Sequence, residues 1–353
     1  MSDLFPGITT HRVASSRYAA NVLERPGEGE VVVFIHGNVS SAAFYQPTML
    51  ALPREYRALA IDLRGFGASE TLPVDATRGL RDFSDDVISV LDALDVERAH
   101  VVGWSMGGGV AMQLLLDAPD RVSSLSLEAP VSPYGFGGTH GADGLRNDDD
   151  GAGTGGGGAN PDFVARLRAG DLTADAPTSP RSVLRSAYVA HPDAQAEHED
   201  VWVRSMLTTS TGEGNYPGDS VPSSNWPGFA AGNRGVLNTM APQHFDVSGI
   251  ADAPHRPPIL WVHGAGDVIV SDTSLFDLNH LGALGVIPGW PGAEVAPAQP
   301  MKQQTRAMLA RYAAAGGVVR EVEITGAGHA PHLDDAPRFD AELAAHLAAV
   351  DVA

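Results

Sequence analysis

The strongest constraint on the fold is a pairing repeated through the first third of the chain. A short, continuously apolar run is followed by a small-residue turn, and the turn by a segment with helical spacing. Val31–Ile35 (VVVFI) ends at His36-Gly37, and Arg57–Ile61 (RALAI) ends at Asp62. Residues 100–103 (HVVG) and 122–127 (VSSLSL) extend the series. Runs of this kind, without strict polar alternation, read as strands buried on both faces. Between them, 82–94 (DFSDDVISVLDAL) places apolar residues at 83, 87, 88, 91 and 94, with acids in a first turn where the helix dipole favours them. Residues 106–116 (MGGGVAMQLLL) read as a more buried helix. This alternation predicts an α/β fold with a mostly parallel central sheet and helices on both faces.

The pattern breaks after Pro130 and resumes with strands at 258–263 and 318–324 and a last helix at 337–350. The expected organisation is a core made of 1–130 and 252–353, with 131–251 inserted as a cap over it. Within the insertion, 162–168 and 182–190 have the composition of short helices, and DDDGAGTGGGG (148–158) reads as a mobile low-complexity loop. A second excursion, 274–300, is rich in Pro, Gly and apolar residues and is expected to wall a pocket.

Composition excludes several functions. A net charge of −20 repels phosphates and anionic lipid, so neither nucleic acid nor a membrane is an expected partner. The absence of cysteine removes disulfides, thiolate metal sites and a cysteine nucleophile. The only lysine, Lys302, lies outside any phosphate-binding loop motif. The start, MSDLFPGITT, lacks a signal-peptide pattern, and no apolar run approaches the roughly 18 residues of a membrane span. A cytoplasmic protein acting on a small molecule, with no metal and no cofactor, is the expectation.

The chemistry concentrates at Gly103-Trp104-Ser105-Met106-Gly107, a G-x-S-x-G between a strand and a helix. A sharp turn there holds a serine hydroxyl above the sheet. Serine needs a base, and the base an orienting carboxylate. Asp267, after the strand–turn WVHGAGD, and His329, after GAGH, follow Ser105 in the right order. Glu128, at the end of LSLE, is the rival acid; His332 and His263 are the rival bases. Two backbone N–H groups must face the developing oxyanion. Met106 supplies one, and the loop His36-Gly37-Asn38-Val39 the other, from Asn38 first and Val39 second. Val39, Phe44, Trp104 and Trp290 are candidate pocket residues.

Taken together, the HGN loop, DLRGFGAS (62–69), GWSMGG, GAGD and GAGH resemble the α/β-hydrolase fold superfamily, in particular its serine esterase, lactonase and cofactor-free haloperoxidase branch. The resemblance covers about residues 1–130 and 252–353. It implies a cap and a catalytic triad of Ser105, Asp267 and His329. The HGN loop is similar to that of haloalkane dehalogenases, and DLRGFGAS to epoxide hydrolases; both use an aspartate nucleophile, and Ser105 sets those activities aside. The implied activity is hydrolysis of a carboxylic ester or lactone. Perhydrolase or C–C bond hydrolase chemistry on the same triad, and slow receptor-like binding of a small molecule, remain alternatives.

Overall fold

The computed structural model describes residues 3–351. Eight strands form the central sheet: β1 (Thr9–Ala14), β2 (Ala19–Arg25), β3 (Val31–Ile35), β4 (Arg57–Ile61), β5 (Ala99–Trp104), β6 (Val122–Glu128), β7 (Ile259–Gly264) and β8 (Val319–Ile324). Their order is β1-β2-β4-β3-β5-β6-β7-β8. All pairings are parallel except those of β2 with β1 and β4. Central β5 and β7 are buried at every position, as the unalternating apolar runs require. The edge strand β1 is exposed at five of its six positions and was not signalled by a buried run.

Helix α1 (Arg81–Ala93) buries Phe83, Val87, Val90 and Leu91. Its acids do more than face the helix dipole. Asp86 is buried and held bidentately by Arg64, with Nε–Oδ2 2.5 Å and Nη2–Oδ1 2.6 Å. Helix α2 (Met106–Asp117) is buried from Met106 to Leu115. It lies against the sheet so closely that a Cβ on Gly107 would fall on the Ile35 and His36 carbonyls.

Between β6 and β7 the chain forms helices α3 (Pro161–Ala169) and α4 (Glu199–Met206) and several two- and three-residue ladders. This insertion reaches the loops at the C-terminal ends of the strands: Gly67 N donates to Thr208 Oγ1, Ser210 N to Gly65 O, and the Ser41 and Ser205 hydroxyls lie 2.6 Å apart. The glycine run at 148–158 is not a free loop, contrary to its composition. Ala152 bridges to Ala230, Gly156 N donates to Asn238 Oδ1, and Gly155–Gly158 form a 3-10 turn. Gly155 has φ +74, and a side chain there would collide with Asn238 and Ala231. Gly151, Gly155, Gly156 and Gly157 are packing requirements, since a Cβ on each would meet a neighbour closer than 3 Å.

Helix α5 (Met301–Ala314) follows the 274–300 excursion, and α6 (Ala336–Asp351) ends the described chain. The excursion docks on the insertion through buried amides: Gln299 Oε1 accepts from Gly137 N, and Gln299 Nε2 donates to Gly135 O. Leu275, Phe276, Leu284, Val286 and Val295 remain exposed.

Candidate active site

Ser105 sits where β5 turns abruptly into α2. Its backbone is at φ 56, ψ −119, a region that costs a non-glycine residue strain and marks functional turns. Two requirements explain the flanking glycines: a Cβ on Gly103 would strike the Gly107 carbonyl, and one on Gly107 the Ile35 carbonyl. The turn is fixed from the next strand, because Ser105 N donates to Glu128 O (2.9 Å) and Val131 N to Ser105 O (3.0 Å). Ser105 itself is half-buried.

The loops after β7 and β8 bring Asp267 and His329 together. Gly266 N donates to Ala327 O (2.9 Å), and a Cβ on Gly264 would meet the carbonyls of Ala327 and Gly328, so the two turns touch backbone to backbone. His329 Nδ1 lies 2.9 Å from Asp267 Oδ2, both side chains buried. The other carboxylate oxygen of Asp267 accepts from Ile269 N (2.8 Å) and Val270 N (3.0 Å), which fixes its plane. Lys302 ties the same turn down by donating to Gly264 O (2.7 Å). His329 is adjacent to the Ser105 turn: Trp104 Nε1 donates to His329 O (2.7 Å), and the two rings lie 5.6 Å apart.

The rival groups have partners of their own. Glu128 Oε1 accepts from His332 N (2.9 Å) and lies 2.7 Å from His332 Nδ1, so it serves His332 and not His329. His263 Nε2 lies 2.9 Å from Glu321 Oε1, and burial holds its pKa below the usual value.

The loop after β3 lies directly over Ser105; a Cβ on Gly37 would stand 3.1 Å from that of Ser105. His36 is fully buried, which pushes its pKa down to about 4 and keeps the ring neutral. Its Nδ1 donates to Gly37 O (2.7 Å) and its Nε2 accepts from Leu63 N (3.1 Å). Ser40 Oγ also donates to Gly37 O (2.8 Å). Because a trans peptide sets C=O and N–H antiparallel, these bonds fix the direction of Asn38 N–H. Val39 has φ 48. Met106 N, at the first position of α2, has no acceptor within the helix.

The expected pocket residues do not form one open wall. Phe44 and Trp104 are buried in an aromatic cluster with Trp202 and Tyr188, and Val39 is also buried. Trp290 lies with Trp226 over Gly282, inside the excursion. Sequence reasoning missed the Glu128–His332 pairing, Tyr188 and Asp334. The first had a signal in the strand-end acid and the second histidine; the others had none beyond Asp334 lying near His329. Among the described residues no group of three or more His, Asp or Glu is arranged to hold a metal, and no helix is long and apolar enough to cross a membrane.

A family model described as alpha/beta hydrolase fold matches residues 30–294. The chain is 42% identical over 99 residues to the pimeloyl-[acyl-carrier protein] methyl ester esterase of Aliivibrio salmonicida, covering 28% of this chain and 35% of that protein. It is 35% identical over 118 residues to the 2-hydroxy-6-oxo-6-phenylhexa-2,4-dienoate hydrolase of Comamonas testosteroni, covering 32% of this chain and 40% of that protein. In these alignments it spans two-fifths or less of each curated relative's length. The crystal structure of the enol-lactonase from Burkholderia xenovorans LB400 superposes with TM-score 0.58 at 18% identity, covering 96% of this chain and all of that one, a likeness of fold.

Proposed function

Because the chain belongs to the alpha/beta hydrolase fold family, and because the loops after β7 and β8 hold a buried carboxylate–imidazole pair beside a strained serine, we propose that it is a serine hydrolase cleaving a small carboxylic ester or lactone. The observation that carries this reading is the His329 Nδ1–Asp267 Oδ2 contact of 2.9 Å next to the Ser105 turn.

In this reading His329, held in one tautomer by Asp267, takes the Ser105 proton through Nε2 as Oγ attacks the carbonyl carbon. The N–H groups of Asn38 and Met106 stabilise the tetrahedral oxyanion, each contributing about 3 kcal/mol to the transition state. His329 then returns the proton to the leaving alcohol. Water, deprotonated by the same imidazole, releases the acid from the acyl-enzyme. No step needs a metal or cofactor. The insertion serves as the cap.

The experiment is a turnover panel of p-nitrophenyl esters of graded acyl length, enol lactones and a β-diketone, with and without peroxide. Ester or lactone turnover supports the reading. Cleavage of the diketone alone, peroxide-dependent activity alone, or tight binding without turnover contradicts it.

A further inference from the structure

One segment of the insertion touches both halves of the candidate site. It begins with a single π-helical turn, Leu184–Tyr188, closed by a bond from Val189 N to Leu184 O (3.2 Å). Such turns are rare in soluble proteins and concentrate at functional sites. The last residue of the turn, Tyr188, is buried with its ring 5.7 Å from Trp104 and 6.2 Å from His329. Its hydroxyl lies 3.0 Å from Asn38 O and 3.3 Å from Val39 O. Burial raises the phenol's pKa, so it remains a donor at ordinary pH.

The backbone of the same segment is fastened to the histidine loop. Ala330 N donates to Tyr188 O (2.8 Å). The Asp334 carboxylate accepts from Gly328 N (2.7 Å), the residue before His329, and also from Ala190 N (3.0 Å) and His191 N (2.8 Å) in the strap formed by residues 188–191. Residues 188–191 therefore bridge from the loop over Ser105 to the loop that carries its base.

The bond to Asn38 O has a specific consequence. The peptide between Asn38 and Val39 is planar, so holding its carbonyl sets the direction of Val39 N–H. Val39 is β-branched and sits at φ 48, a conformation that needs outside restraint. His36 and Ser40 restrain the preceding carbonyl, Gly37 O, from within the core. Tyr188 restrains the following carbonyl, Asn38 O, from the insertion, so Asn38 is held on both of its peptide planes.

We propose that Tyr188 is a positioning residue for the oxyanion loop: by holding the Asn38 and Val39 carbonyls it pins the backbone on the far side of Asn38, whose N–H faces the oxyanion, so that docking of the 188–191 strap completes the hydrolytic site. The inference rests on the serine-hydrolase reading above. Undocking the strap removes the donor from Asn38 O and Val39 O and the Asp334 cross-links from the histidine loop together. Substrate access and assembly of the site are then one event.

The test is Tyr188→Phe, which deletes only the hydroxyl, assayed on the best ester from the panel and titrated with phenylboronic acid, whose tetrahedral adduct places an oxygen where the oxyanion forms. The expected result is a kcat about tenfold lower, well inside the ~10²–10³ loss of a whole donor. KM changes less than about threefold, and boronate affinity falls in step with kcat. Installing 4-aminophenylalanine at position 188, which keeps a donor at the ring's far end, restores most of the loss and separates the hydroxyl's role from packing. Should Tyr188→Phe not fold, the amino variant against 4-methylphenylalanine gives the same comparison. Unchanged kcat and boronate affinity, a loss confined to KM, or no rescue by the amino group overturns the inference while the hydrolase reading stands. A wild type that neither turns over nor forms the boronate adduct removes that reading and the inference with it.

Discussion

Replacing Glu128 and Asp267 separately by alanine asks different things of two buried carboxylate–histidine pairs. Glu128 accepts from both His332 N and the His332 ring, and Tyr45 Oη lies 3.4 Å from its second oxygen. The ring is already unpartnered at Nε2, so Glu128→Ala leaves His332 with neither ring nitrogen paired inside the core. Leaving a buried donor without its acceptor costs about 1–3 kcal/mol, and here the His332 backbone N–H and its ring lose theirs together. Against a total stability of about 5–15 kcal/mol that is a large share, and urea unfolding followed by tryptophan fluorescence will resolve it. The backbone bond from Ser105 N to Glu128 O survives the substitution. Below its lowered melting temperature the variant should therefore keep kcat within about tenfold of wild type. Asp267→Ala should instead lower kcat by about 10⁴, the loss seen when the orienting acid of a triad is removed. A cycle with His332→Ala should return a coupling of about 1–3 kcal/mol. The assignment is refuted by a Glu128→Ala stability loss under about 1 kcal/mol, or by activity that survives in Asp267→Ala and collapses in Glu128→Ala.

Burial holds His36 neutral with a pKa of about 4, below the 6.5 of the unfolded chain, so its contribution is full above pH 6.5 and is lost as pH falls to 4. His36→Gln should flatten the stability profile over that window by about 3 kcal/mol in urea titrations at pH 7 and 4.5. Asp340 behaves oppositely: burial raises it to about 6, so stability is lost as pH rises from its ordinary 3.8 through 6. Asp340→Asn should raise the melting temperature at pH 8 and leave it unchanged at pH 3.5. Gly37→Ala puts a methyl 3.1 Å from Ser105 Cβ and 3.3 Å from Trp104. It should lower kcat about tenfold with little change in melting temperature, since the contact shifts Ser105 by only a fraction of the ~1 Å misplacement that costs about a hundredfold. Arg64→Ala leaves the fully buried Asp86 carboxylate with Arg17 Nε (2.7 Å) as its remaining cationic partner and should cost about 2–3 kcal/mol by the same unfolding assay.

The parts of the fold that were readable from the sequence are those written in local pattern. The apolar runs at 31–35, 57–61 and 258–263 become buried parallel strands because strands covered on both faces must be apolar throughout. The elbow is legible because its backbone demands glycines at 103 and 107. Strands β1 and β2 carried no such run, and β1 is an exposed edge. The 148–158 segment misled because composition records the flexibility of glycine and not the close approach of Asn238 and Ala231 that requires it. The choice between Asp267 and Glu128 was open because it depends on which histidine each acid meets across the fold. Phe44 and Trp104 look like pocket residues by type, yet they pack with Trp202 and Tyr188 from the insertion. Contacts between distant segments leave no local pattern.

The central claim is that the Ser105 hydroxyl carries the acyl group between the two halves of the reaction. Mass spectrometry of protein quenched during turnover of a slow p-nitrophenyl ester tests it directly. The account predicts one added acyl mass on the peptide containing Ser105, and neither adduct nor turnover in Ser105→Ala. Turnover that persists in Ser105→Ala, or an acyl mass on a different peptide, would contradict it.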